Sequence, residues 1–214
     1  MVKRFFAFYV FTLSVLVIRS MPVHAQDSLV KAIPVTNASL ITIDPNGNIY
    51  VVSQQNTLLR FDRNGKITGQ YNNLQNGQLQ WVDASNPLKI LLFYPQFSRI
   101  ILLDNMLSPK SNINLQQSGF FNISACGLSE DNNIWLYDYQ KAKLFKINNQ
   151  MDILSESNDL RAETGTTPYP TGILATDNTV YLTDTRQGLY TFDRFGNYLN
   201  TLPIKNVRQL QKIN

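Results

Sequence analysis

Histidine and cysteine are almost missing from this chain. His24 and Cys126 are each the single residue of their kind, so no disulfide can form within the chain. Cys126 sits in the apolar run Ile123-Ser124-Ala125-Cys126-Gly127-Leu128, the context of a small buried hydrophobe. Basic clusters are missing too. Lys and Arg occur as scattered residues, and the electrostatic footprint of a nucleic-acid binder is lacking. Neither phosphate-binding glycine pattern is present. Long hydrophobic runs are few, and the one at residues 5–18 holds 14 residues, short of the roughly 20 that a bilayer-spanning helix needs. With 43% apolar and 16% charged residues, the composition is that of an ordinary globular protein, not a disordered one.

That apolar run follows Lys3 and Arg4 and ends at Val23-His24-Ala25, before the polar Gln26-Asp27-Ser28. A charged start, an apolar middle and small residues at the last and third-last positions make a secretory signal peptide, with cleavage expected after Ala25. The competing reading is an uncleaved anchor. No cysteine stands at the end of the run to carry a lipid. Removal of residues 1–25 takes Lys3, Arg4 and Arg19 away and lowers the net charge from +4 to +1. The mature chain then has no histidine, which excludes Ser-His-Asp and Cys-His nucleophile systems and histidine metal sites. The expected location is the periplasm or the exterior, with no membrane span left after cleavage.

What the chain does have is a repeat. The residues that open one apolar stretch, Ile49, Ile90, Ile134 and Val180, are 41, 44 and 46 positions apart. A polar residue closing the next stretch, at Asp62, Asp104, Asn148 and Asp193, recurs after 42, 44 and 45. Within a unit the two landmarks stay 13 or 14 residues apart. Each copy begins with a further apolar stretch, at residues 40–43, 79–82, 123–128 and 173–175. A fourth stretch follows the polar landmark, as at residues 65–67, 151–154 and 196–199. Asn46-Gly47, Asn64-Gly65 and Phe195-Gly196 supply tight-turn residues. Four short strands per unit of about 40 to 50 residues are the blade of a β-propeller. A β-sandwich is the alternative, but it imposes no fixed unit length. The expected architecture is all-β: a propeller of four-stranded antiparallel blades over residues 26–214, with units near 37–72, 73–115, 116–160 and 161–204. No helical period stands out beyond the leader.

Asp44-Pro45-Asn46-Gly47-Asn48-Ile49-Tyr50-Val51, with Leu58-Leu59-Arg60-Phe61-Asp62-Arg63-Asn64-Gly65 after it, resembles the blade of NHL-type propellers. Val82-Asp83-Ala84-Ser85-Asn86-Pro87 through Tyr94, with Leu102-Leu103-Asp104-Asn105, resembles exported propeller-like proteins of Bacteroidetes-type bacteria. The resemblance implies a fold and an export route and carries no catalytic motif. The WD40 signature dipeptides are absent. Residues 205–214 read as the start of a fifth unit. Either the sequence is a fragment, or this stretch closes a ring with residues 29–33 as an outer strand, because an open blade end would expose its apolar face.

Asp62, Asp104 and Asp193 occupy one position of the repeat, where an Asp side chain bonds the backbone of its own turn, so they are expected to be structural. Asp131-Asn132-Asn133 lacks the spaced carboxylates of a calcium loop. No catalytic residue, metal site or cofactor is expected. The connections between second and third strands converge on one face with the loops between blades. They bring Tyr94, Phe97, Tyr137, Tyr139, Tyr169, Asp184 and Arg186 to one surface, and aromatic residues with an Arg are the types that dominate binding hot spots. The competing reading is that the tyrosines pack between blades; Trp81 and Trp135 fall within strands and are expected there. The function expected is an exported, non-enzymatic binding or scaffold module whose partner is a protein or glycan of the envelope. A metal-dependent lactonase or lyase is the alternative, although the first strands offer only Thr42, Gln80 and Ser124 as polar residues toward the axis.

Overall fold

The computed structural model describes residues 32–35 and 37–212; the expected leader and residues 29–31 lie outside them. Blade 1 consists of β1 (Ala38–Ile43), β2 (Ile49–Ser53), β3 (Thr57–Phe61) and β4 (Ile67–Asn72). Blade 2 has β5 (Trp81–Asn86), β6 (Lys89–Tyr94), β7 (Arg99–Leu103) and β8 (Pro109–Asn114). Blade 3 has β9 (Ile123–Leu128), β10 (Ile134–Asp138), β11 (Lys143–Ile147) and β12 (Ile153–Glu156). Blade 4 has β13 (Gly172–Ala175), β14 (Thr179–Asp184), β15 (Gly188–Asp193) and β16 (Tyr198–Leu202). Every sheet is antiparallel with its strands in sequence order, and the four form a four-bladed β-propeller. The expected fold class is the observed one.

The strands follow from burial on two sides. Second and third strands lie between neighbouring blades, so both of their faces are apolar, and β6 reads Ile90-Leu91-Leu92-Phe93 without interruption. Outer strands have one edge in water, and β4, β8 and β16 are rich in Asn, Gln, Thr and Ser. One tight turn recurs after each third strand. Asp62 Oδ1 accepts from the N–H of Asn64 and Lys66, Asp104 from Met106 and Ser108, Asn148 from Gln150 and Asp152, and Asp193 from Phe195 and Asn197. The four landmark residues are thus turn clamps. The third residue after each clamp has positive φ: Gly65 at 74°, Leu107 at 62°, Met151 at 73° and Gly196 at 93°.

Three cores join the blades. Tyr50, Val52 and Leu58 of blade 1 meet Ile90, Leu92, Tyr94 and Ile101 of blade 2. The opposite face of blade 2, with Trp81, Leu91, Phe93 and Ile100, meets Cys126, Ile134, Leu136 and Phe145 of blade 3. Trp135, Tyr137 and Leu144 of blade 3 meet Ile173, Leu182, Tyr190 and Phe192 of blade 4. Each of these side chains contributes about 1.5–3 kcal/mol through removal from water. Cys126 is fully buried, as expected, and burial together with the nearby Asp83 pushes its thiol pKa well up. Near the axis Trp81 reaches across to β13, its ring carbon 2.7 Å from where a Cβ on Gly172 would stand.

No such core joins blade 4 to blade 1 among the described residues. The outward face of blade 1 carries Ile41, Ile43 and Ile67, exposed at 50%, 42% and 54%. Residues 205–212 form no strand. Asn206 donates its N–H to Thr185 O, Leu210 and Gln211 share a cavity with Leu174, Tyr181 and Leu189, and Lys212 Nζ lies 2.8 Å from Glu130 Oε1. A short helix, α1 (Leu160–Thr164), stands in the connection from blade 3 to blade 4. Asp159 caps its first turn and Gly165 ends it; five residues are too few to display a helical period.

Candidate functional site

The turns between second and third strands do share a face with the inter-blade connections, and hydrogen bonds stitch them together. Asn56 donates to Gly77 O and accepts from Leu79 N, Gln116 Nε2 donates to Ser98 Oγ, Asn122 Nδ2 donates to Gln140 Oε1, and Thr166 Oγ1 donates to Gln187 Oε1. In blades 3 and 4 a buried aspartate shapes the turn. Asp138 Oδ1 accepts from the N–H of Gln140 and Lys141 at 3.0 Å each. Asp184 Oδ1 accepts from Arg186 N at 2.9 Å and Gln187 N at 3.2 Å, while its Oδ2 accepts from Tyr169 N at 2.8 Å. Asp184 therefore locks an inter-blade loop to a hairpin turn. An uncapped carboxylate at 1% exposure would be costly, and its backbone partners offset that cost.

The seven residues expected on this face divide into two sets. Tyr139 and Tyr169 are exposed at 37% and 46%, and their rings meet at 5.2 Å with a 55° tilt. Arg186 projects beside them, its guanidinium 4.0 Å from Asp184 and its side chain largely in water. Asp184 holds the backbone of Tyr169 and Arg186, and Tyr139, its N–H donated to Asn122 O, joins them through its ring contact with Tyr169 to form one patch. Tyr94 and Tyr137 do not belong to the surface. Both are fully buried, Tyr94 in the core between blades 1 and 2 and Tyr137 in that between blades 3 and 4. Each lies within its strand, and burial between two blades drives its hydroxyl pKa well upward. Tyr137 still supports the patch from below, its hydroxyl donating to Pro168 O. Phe97 is 54% exposed but stands apart, over Gly77. Trp81 and Trp135 are core residues, as expected.

Missing from the sequence reading are the neighbours of this patch. Gln187 accepts from Tyr190 Oη and Thr166 Oγ1. Lys141 lies 5.3 Å from the centre of the Phe145 ring, and Arg161 pairs with Asp159 at 2.6 Å. The Asp-x-Arg spacing at residues 159–161 and the Gln after Arg186 carry no pattern that marks a surface before the turns are placed. Among the described residues no three of His, Cys, Asp and Glu converge as metal ligands.

No protein-family model matches the sequence, and no curated protein does. The fold has many counterparts among solved structures. Virginiamycin B lyase from Staphylococcus aureus superposes with a TM-score of 0.56 at 15% identity, over 79% of this chain and 57% of the lyase. A catalytically inactive histidine-to-alanine variant of the same enzyme, solved with quinupristin, gives 0.56 and 15% over 77% and 55%. The WD40 domain of Pan2 from Neurospora crassa gives 0.57 at 12% identity, over 78% and 50%. The chain spans about half the length of these proteins. At such identities the likeness is one of fold, and it is with β-propellers.

Proposed function

We propose that this protein is an exported, non-enzymatic β-propeller that binds a protein of the cell envelope through the patch of Tyr139, Tyr169 and Arg186. The observation that carries the reading is the pair of exposed, touching tyrosines, with the buried Asp184 holding the backbone of Tyr169 and of the exposed Arg186. Aromatic rings, with two side-chain torsions, bind with little loss of freedom and a guanidinium adds a planar set of donors, which is why such residues anchor interfaces. The alternative of a propeller lyase draws on the lyase neighbours. One of these loses activity with a histidine, whereas the only histidine here is His24, within the expected leader. Export rests on the charged, apolar and small-residue order of residues 1–25.

The test is cross-linked recovery from envelope extract with the unaltered protein and with Tyr139→Ala, Tyr169→Ala and Arg186→Ala combined. The triple variant should keep its circular dichroism and lose its partner. Equal recovery would remove the patch from consideration, and capture of glycan alone would replace the protein partner. N-terminal sequencing of the exported form should begin at Gln26.

A further inference from the structure

The opposite face of the propeller holds a cavity of about 300 Å³ between blades 3 and 4. Its floor is Trp135, Ala175 and Val180, all buried. Blade 3 contributes a cross-strand row: Trp135 pairs with Lys146, and Lys146 with Ser155. Lys146 Nζ stands 5.2 Å from the Trp135 ring centre and 2.6 Å from Asp131 Oδ2, so this cation is already neutralised. Two other charges are not. Among the described residues Asp177, in the turn from β13 to β14, forms no ion pair within 4.0 Å and meets the charge of Lys212 only at longer range, and Arg194, in the turn from β15 to β16, forms no ion pair and stands 5.1 Å from the Phe195 ring centre. Both line the cavity and lie beyond ion-pair distance of each other. Two buried donors of the row, the Trp135 indole N–H and the Ser155 hydroxyl, have no acceptor. Both atoms are closed to solvent and Ser155 does not line the cavity, so what the cavity offers a ligand is the Trp135 ring and the charges of its rim.

We infer that this cavity is a binding site for a small zwitterion of amino-acid size, its carboxylate toward Arg194 and its ammonium toward Asp177. A plain anion would meet the carboxylate of Asp177, Glu130 being paired with Lys212, and a plain cation would meet Arg194. A molecule carrying both charges with a short apolar side chain satisfies the rim and the floor together. The volume is at the lower end of the range for small-molecule sites.

The chain has two tryptophans, so Trp81→Phe leaves Trp135 as the sole reporter. Protein recovered from expression of the full chain is titrated with L-leucine, with 4-methylpentanoate as the probe lacking an ammonium and with 3-methylbutylamine as the probe lacking a carboxylate. L-Leucine should change the Trp135 emission saturably with a midpoint below about 1 mM, and each single-charge probe should bind at least about tenfold more weakly. Asp177→Asn and Arg194→Gln, both in exposed turns, should each weaken L-leucine binding about tenfold and leave the melting temperature unchanged. Calorimetric titration of the unaltered chain gives the same comparison if Trp81→Phe fails to fold. No saturable response to L-leucine up to about 10 mM, an equal response to a single-charge probe, or binding undiminished by both substitutions would overturn the site.

Discussion

Gly196 shows how far one backbone angle constrains the choice of residue. Its φ of 93° lies where a side chain crowds the backbone, and a Cβ there would come 3.3 Å from the Trp135 ring. Gly196→Ala should therefore cost about 1–2 kcal/mol, read as a lower urea midpoint with an unchanged slope; an unchanged midpoint would mean that the turn relaxes freely. Blades 2 and 3 tolerate the same geometry with Leu107 and Met151 because apolar contacts hold those side chains. Leu107 packs on Gly69 in the first core, and Met151 against the second. This also explains what was legible. The clamps Asp62, Asp104, Asn148 and Asp193 stand out in the sequence because a polar acceptor is needed at a fixed place. The left-handed residue after them stands out only in the two blades where glycine fills it.

Between elements, the contact most exposed to a single substitution is Asp83. This carboxylate is buried where blades 2 and 3 meet: Oδ1 accepts from Ser85 N at 2.9 Å and Oδ2 from Leu128 N, on blade 3, at 2.7 Å. Burial raises its pKa, while the two N–H groups oppose the rise. Asp83→Ala orphans the buried Leu128 N–H of blade 3 and the half-buried Ser85 N–H of blade 2 and should cost about 2–4 kcal/mol. Asp83→Asn retains one acceptor and removes the buried charge, so its loss should be smaller. Equilibrium denaturation of the two variants decides, and an Ala variant as stable as the parent would show that Asp83 does not tie the blades. The repeat shows that Asp83 does not stand at the position of the turn clamps, but nothing in the sequence gives its role, because its partner lies 45 residues away. Tyr94 and Tyr137 illustrate the same limit. A tyrosine near the end of a second strand reads as a loop residue until the strand is seen to run through it, whereas Tyr139, two positions further, is clear of β10 and reaches the surface.

For the molecule as a whole, acid should be the weak side. Asp131 is raised by burial but brought down to about 2 by its hydrogen bond from Lys146. Asp104 is lowered by the Ser108 N–H and Asp159 by Arg161. A carboxyl whose folded pKa is depressed gives stability above its unfolded pKa, near 4, and loses it as pH falls through the folded value. The melting temperature should thus hold from about pH 7 to pH 5 and fall between about pH 4 and pH 2, with a smaller fall in Asp131→Asn. A fall beginning near neutrality would point to another group. The period of the repeat was readable because every blade needs the same two-sided burial, and that requirement also sets unequal protection. Blades 2 and 3 have a packed neighbour on each side, while blades 1 and 4 have one each among the described residues. In a linear array of sheets, opening an end blade breaks one core, whereas opening a middle blade breaks two. Amides of β6, β7, β10 and β11 should exchange with solvent most slowly, and those of β2, β3, β14 and β15 at least about tenfold faster, as each lost core removes more than the 1.4 kcal/mol that a factor of ten represents. Equal protection across all four blades, measured by native-state exchange, would mean that the seam between blades 4 and 1 is sealed as tightly as the other three.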